Sequence, residues 1–254
     1  MSTDENKDTL IMEHFNQLQS VFSDLRLDKN GKGKFIVAGN LSFTCSHDGK
    51  TIKDDYDIEM LIPDDYPQRP PTVKETASRI PRDKDNHVYS SDGTLCLGAP
   101  LAVKRTFAQE RNLLWFVRAQ VVCFLFSHSF KGKYGIMPFG ELTHGPEGIL
   151  EYYKELFSVQ DDWHVLGLLR ILADDNYRGH TLCPCGGGKC LRNCHGDILF
   201  EVRNYQTPNE FMKEYIEIFD LLYKKNKEID IREYIPKKAL RSIMKRRRKA
   251  KKSR

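Results

Sequence analysis

The chain has 254 residues, 40% of them apolar and 30% charged, a balance that builds a folded core and excludes a low-complexity or wholly disordered polymer. Its longest unbroken apolar run, Val121 to Phe126, falls far short of the roughly 20 residues of a membrane helix, and the opening MSTDENKD is polar and acidic, unlike a secretory signal. The formal charge of +5 is unevenly spread, because Lys237 to Arg254 holds 11 Lys or Arg and no acid, leaving −6 on residues 1 to 236. A cytoplasmic protein that does not engage a membrane is expected. Of seven cysteines, four fall between Cys183 and Cys194 while Cys45, Cys96 and Cys123 are scattered, which points to metal binding in a reducing compartment rather than to disulfides.

Ile11, Phe15, Leu18, Phe22 and Leu25 recur at spacings of four and three, the stripe of an amphipathic helix. Two glycines in KNGKGK (Lys29 to Lys34) end it, and Phe35 to Cys45 is then rich in strand-forming residues, with an interruption at Gly39. Tyr56, Ile58, Met60 and Ile62 alternate with Asp57, Glu59 and Leu61, as in a strand with one buried face. The segment PDDYPQRPP follows, and its four prolines exclude helix and central strand, leaving a rigid extended loop. Asp92-Gly93 signals a turn inside VYSSDGTLCLGA, and Leu113 to Phe126 is apolar over a helical length. A glycine-rich stretch from Met137 to Gly148 leads into the helical GILEYYKELF, and Asp161-Asp162 marks a boundary. Beyond it Val165, Leu168, Leu169 and Leu172 form a short apolar face. Thr207, Pro208 and Glu210 then read as cap, first-turn proline and capping-box partner of a helix whose stripe is Phe211, Tyr215, Ile218, Phe219 and Leu222.

Residues 183 to 196, CPCGGGKCLRNCHG, offer a Cys-x-Cys, eight intervening residues and an adjacent Cys-His pair. Zinc takes four tetrahedral thiolate or imidazole ligands, so Cys183, Cys185, Cys194 and His195 are the expected set, with the glycines letting backbone N–H groups turn toward sulfur. Cys190 is the remaining thiol, and spacing alone leaves its exchange with His195 open. The stretch resembles the SEC-C motif, a short zinc knuckle appended to many bacterial proteins, with Gly187 where the family usually has serine. A site closed by four protein ligands is suited to folding or docking rather than to catalysis.

Cys96 stands between Leu95 and Leu97, a setting in which a cysteine is usually core, but it follows a proline-rich loop and an Asp-Gly turn, where reactive groups are displayed. YDIEMLIPDDYPQRPPTVKET followed by NHVYSSDGTLCLG resembles the ubiquitin-conjugating enzyme (UBC) family, over about Thr9 to Phe157, and PFGELTHGPEGILEYY resembles bacterial members of that superfamily. The resemblance implies an α+β fold: a UBC-like domain over residues 1–160, with an N-terminal helix, an antiparallel meander sheet and helices after the catalytic loop. A helical region over 161–236 would carry the zinc motif at 183–196, and 237–254 would be a basic tail.

By the same resemblance, Cys96 would accept a ubiquitin-like protein as a thioester from a ubiquitin-activating-type enzyme and pass it to a nucleophile on an acceptor protein. Where the family has His-Pro-Asn this chain has Asn86-His87-Val88, with one residue inserted before the cysteine. His87 is therefore either a donor to the developing oxyanion or a loop histidine bonded to backbone. His144 is a second candidate neighbour, Asp92 a turn former, and Cys45 and Cys123 are expected in the core. The alternative function is a catalytically inactive UBC-like binding module, from which retention of Cys96 argues away. The basic tail, lacking interleaved aromatics, offers nucleic acid or an acidic partner charge without sequence readout, or is simply solvated.

Overall fold

Ile11, Phe15 and Leu18 bury one face of helix α1 (Thr3–Gln19) in a computed structural model that describes residues 3–83, 85–139 and 145–225. The stripe continues through Phe22 and Leu25, but the helix does not. Phe22 lies in the turn after α1, with its N–H bonded to the Leu18 carbonyl at 2.9 Å, and Leu25 opens strand β1 (Leu25–Lys29). Both side chains are buried, so the apolar spacing is satisfied by a turn and a strand rather than by two more helical turns. Asn30 shapes the next turn, its side-chain oxygen accepting from the Lys32 and Lys34 amides at 2.9 and 3.0 Å.

Strands β2 (Phe35–His47), β3 (Lys50–Leu61) and β4 (Thr72–Glu75) complete an antiparallel meander in the order β1-β2-β3-β4. Asp48 and Gly49, both at positive φ (47° and 72°), make the tight turn between β2 and β3, where Ser46 faces Thr51 and His47 faces Lys50. Tyr56, Ile58, Met60 and Ile62 are buried as their alternation predicts. Pro63 to Pro71 runs as turns, with Tyr66 buried and its hydroxyl 2.5 Å from His14 Nδ1. Burial lowers the pKa of His14 and raises that of Tyr66.

Helix α2 (Pro100–Phe107) begins on its proline, and Asn112 caps α3 (Leu113–Phe116) through the Leu114 and Trp115 amides. The chain then passes through one π-turn, Val117–Val121, into α4 (Val122–Tyr134), which stops at Gly135 in the left-handed conformation (φ 73°). The resulting 22-residue helical run, Leu113–Tyr134, is long and apolar enough to cross a membrane, yet half of its most apolar window is buried within the protein. Leu113, Phe116, Val117, Val121 and Leu125 join the sheet residues in one core, which identifies a core helix of this unit.

The chain divides into two compact units, Met1–Leu142 and Thr143–Arg254. The sequence boundary at Asp161 is thereby displaced: Asp161 is the N-cap of α6 (Asp162–Asp174), accepting from the His164 amide at 2.9 Å. Helix α5 (Gly145–Phe157) packs with α6 and α8 (Pro208–Lys225), so it belongs to the second unit and not to a 1–160 domain. The capping box of α8 is formed as its sequence predicts, the Glu210 carboxylate accepting from the Thr207 amide at 2.8 Å. Between α6 and α8 lie a short 3-10 turn, Leu191–Asn193, and helix α7 (Gly196–Val202). His144 and the basic tail 237–254 lie outside the described residues.

Candidate functional site

The Cys/His cluster is assembled from two pieces of local structure. Thr181 to Leu191 closes on itself: the Cys183 amide donates to Lys189 O, and the Leu191 amide to Thr181 O, both at 2.9 Å. That closure brings Cys183 and Cys185 to one side of a glycine turn in which Gly186 and Gly188 hold φ of 76° and 71°. The 3-10 turn then delivers Cys194 and His195 at the start of α7. The four ligand atoms lie within 4.8 Å of one another, forming a cluster that can hold a metal ion.

Cys183 Sγ and Cys194 Sγ are each 3.2 Å from His195 Nδ1, and Cys185 Sγ is 3.4 Å from Cys194 Sγ. Tetrahedral zinc, with ligands at about 2.0–2.3 Å, needs edges of about 3.5–3.8 Å, so a small outward relaxation would complete the shell. Cys190 is outside this cluster, its backbone paired with Leu182, whereas His195 is one of the four residues whose ligand atoms converge. Burial pushes the Cys183 thiol up to about 12, with the neighbouring thiols adding to it. Burial acts the same way on Cys185, but the Gly187 N–H and the two adjacent thiols outweigh it and lower its pKa. Thus the surroundings favour the thiolate at Cys185 and the thiol at Cys183.

In the first unit, Cys96 sits on a segment pinned on three sides. Leu95 N–H donates to Val73 O on β4 at 2.8 Å, Val88 and Leu95 form a β-bridge, and Cys96 N–H donates to His87 O at 2.8 Å. Leu95 is buried and anchors the segment; Cys96 itself is half-buried, its Sγ 4.0 Å from Gly98 O. Asp92 is the turn former its sequence position suggests, accepting from the Thr94 amide and hydroxyl at 3.1 and 2.8 Å. His87 holds a left-handed φ of 55°, so the structure joins it to Cys96 through the backbone. The Asn86 side chain is engaged elsewhere, donating to Asp83 at 2.8 Å and lying 3.1 Å from His128 Nε2.

Two features of this region escape sequence reasoning. His128 meets the Cys96-bearing segment through Asn86, and burial lowers its pKa. A cavity of about 260 Å³ lies beside the segment, bounded by His87 and Leu97 on one side and by the π-turn and α4 on the other. Cys123, expected in the core, is exposed and lines that cavity, whereas Cys45 packs against the core of the unit. The 3-4 spacing of Gln120, Cys123, Ser127 and Lys131 is the one signal in the sequence that this helix has a second, partly polar face.

No family model matches the chain, and no curated protein matches it. Among solved structures the chain is similar to the yeast vps23 UEV domain, crystallised in complex with a vps27 PSDP peptide. The identity is 15%, the match covers 46% of this chain and 91% of that one, and the TM-score is 0.27.

Proposed function

We propose that this protein is a ubiquitin-conjugating-type transferase that carries a ubiquitin-like protein as a thioester on Cys96 and passes it to an acceptor nucleophile. The observation that supports it is the mounting of Cys96: a half-buried thiol on an irregular segment tied to β4 and to His87 by backbone hydrogen bonds. A nucleophile held by backbone alone keeps its side chain available to an incoming carbonyl. The thiolate attacks the C-terminal thioester of the ubiquitin-like protein on an activating-type enzyme, releasing that enzyme's thiol. The acceptor amine or other nucleophile then displaces Cys96, which leaves as thiolate. His87 is assigned as the donor to the tetrahedral oxyanion. The sequence resemblance to the UBC family supplies the substrate class.

The second reading is a UBC-like binding module that holds a ubiquitin-like protein or a partner enzyme without turnover. It is favoured by the engagement of Asn86 with Asp83 and His128, which leaves that asparagine committed away from Cys96. Incubation with an activating enzyme, ATP and a ubiquitin-like protein separates the two: a thiol-labile adduct absent from Cys96→Ala supports the transferase, and binding without an adduct supports the module.

The second unit is assigned as a SEC-C-like zinc knuckle, the ion being zinc because three thiolates and an imidazole suit it, and this donor set belongs in a reducing, cytoplasmic setting. The basic tail is assigned a salt-sensitive contact with nucleic acid or an acidic partner, dispensable for charging Cys96.

A further inference from the structure

His128 is held by a chain of oriented hydrogen bonds that ends on a carboxylate. Asp83 Oδ1 accepts from the backbone N–H and from the Nδ2–H of Asn86, at 2.9 and 2.8 Å. An ionised carboxylate only accepts, so the Asn86 amide has one orientation and turns its Oδ1 to His128 Nε2, 3.1 Å away. An amide oxygen likewise only accepts. The imidazole proton therefore sits on Nε2, and Nδ1 carries the lone pair.

Among the described residues nothing bonds Nδ1, and it is not shut away from solvent, unlike Oε1 of Gln120, which stays unpartnered while Gln120 Nε2–H donates to Val103 O at 3.2 Å. His128 lines the cavity whose facing wall includes His87 and Leu97. Leu97 directly follows Cys96, and His87 O accepts the Cys96 N–H at 2.8 Å. A nucleophile entering the cavity thus meets the Cys96 segment on one side and an oriented imidazole on the other, while Leu97, Val103 and Phe124 offer apolar surface to its aliphatic stem. Burial keeps the ring neutral near pH 7, with Lys131 and Arg79 acting the same way and Asp83 and Glu75 opposing. Asp85, His87 and Cys123 are the other ionisable groups that share the lining with Lys131.

We propose that His128 is the catalytic base of acceptor transfer, its Nδ1 removing the proton of an acceptor amine as that amine attacks the thioester on Cys96. The inference rests on the transferase reading given above. The amine nitrogen bonds to the carbonyl carbon, the C–S bond breaks, and its electron pair leaves on the Cys96 sulfur. The proton taken by Nδ1 then passes to that thiolate or to water.

The chemistry is testable without the native partners. A small acetyl thioester S-acetylates the full-length protein, and mass spectrometry of the peptide carrying Cys96 follows its discharge by n-butylamine, a lysine side chain in miniature. His128→Gln keeps an N–H that can reach Asn86 but has no basic nitrogen. It should discharge about a hundredfold more slowly at neutral pH, the lower end of what a positioned base contributes. The advantage of the native chain should vanish as pH falls through the pKa of His128, read separately from its ring protons by NMR, whereas a purely structural role would slow discharge equally at every pH. Equal discharge of the two chains, or a rate ratio that does not vary with pH, would overturn the proposal. An adduct of Cys96 with a ubiquitin-like protein, formed with an activating enzyme and ATP, that butylamine discharges regardless of His128 rejects the base and keeps the transferase. His128-dependent discharge of acetylated Cys96 with no such adduct keeps the base and rejects the ubiquitin-like substrate.

Discussion

The Nε2–H of His195 donates to the carbonyl oxygen of Phe157 at 2.8 Å, and this bond fixes the tautomer of the ring. A carbonyl can only accept, so the proton resides on Nε2 and the Nδ1 lone pair faces Cys183 and Cys194, each sulfur at 3.2 Å. The last residue of α5 thereby orients the imidazole of the Cys/His cluster thirty-eight positions later in the chain.

Metal content follows from this arrangement. Purified protein should carry one zinc per chain, and Cys183→Ser with Cys185→Ser should abolish it, as elemental analysis would show. Metal binding and local folding are coupled, so chelation should raise amide exchange in residues 177–202 and at the C-terminal end of α5, while the strands of the first unit stay protected. Uniform exchange across both units after chelation would contradict this.

Gly167 on α6 is a second lever on the cluster. A Cβ there would stand 2.7 Å from Pro184 Cβ, between two of the cysteines. Alanine favours a helix interior over glycine by up to about 1 kcal/mol, so Gly167→Ala should leave α6 intact while displacing the loop that holds Cys183 and Cys185. The expected result is a zinc affinity lower by about tenfold or more, as disturbance of ligand support commonly produces, measured by competition with a chromophoric chelator. Unchanged affinity would show that the loop shifts without cost.

What the sequence discloses here is what local spacing determines. The Thr207–Glu210 capping box and the Cys/His cluster are legible because each is closed within a few residues or one turn. Asp161 is misread because an N-cap and a linker share the same polar signature, and only the packing of α5 on α6 and α8 tells them apart. Phe22 and Leu25 mimic a longer helix because burial, not helical geometry, selects their side chains. The unpartnered oxygen of Gln120 is invisible in sequence, since it depends on Val103 taking the other half of the amide.

Acid sensitivity of the first unit is expected from its buried histidines. Burial lowers the pKa of His128, with Lys131 and Arg79 acting in the same direction and Asp83 and Glu75 opposing; burial lowers His14 as well. A histidine whose folded pKa is below its unfolded value of 6.5 is bound by fewer protons in the folded state. Its stabilising contribution is therefore present above that pH and is lost as pH falls from there toward the folded pKa. Denaturant midpoints measured between pH 7.5 and 5 should decline, and His128→Gln should flatten part of that decline. Asp54 loses stabilisation in a separate window near and below its ordinary value of 3.8, because hydrogen bonds from Ser129 and the Arg79 guanidinium outweigh its burial and lower its pKa. An undiminished slope in His128→Gln would assign the pH 5–7 effect to other groups.

Cys96 carries the functional proposal, and the backbone that holds it decides how its neighbours should be tested. With a cognate activating enzyme, ATP and a ubiquitin-like protein, the native chain should form an adduct that added thiol removes; Cys96→Ala should not form it, and Cys96→Ser should form a thiol-resistant oxyester. Cys45→Ser and Cys123→Ser should charge normally. His87→Ala alone is ambiguous, because His87 holds φ at 55°, a region disfavoured for alanine by roughly 1–2 kcal/mol, and its carbonyl accepts the Cys96 N–H. His87→Gly removes the imidazole while keeping that conformation open. If the imidazole supports the oxyanion, both variants should charge yet transfer to an acceptor about a hundredfold more slowly, the usual cost of deleting one such donor. If His87→Gly transfers at the native rate and His87→Ala does not, the residue serves through its backbone, as the turn that presents Cys96.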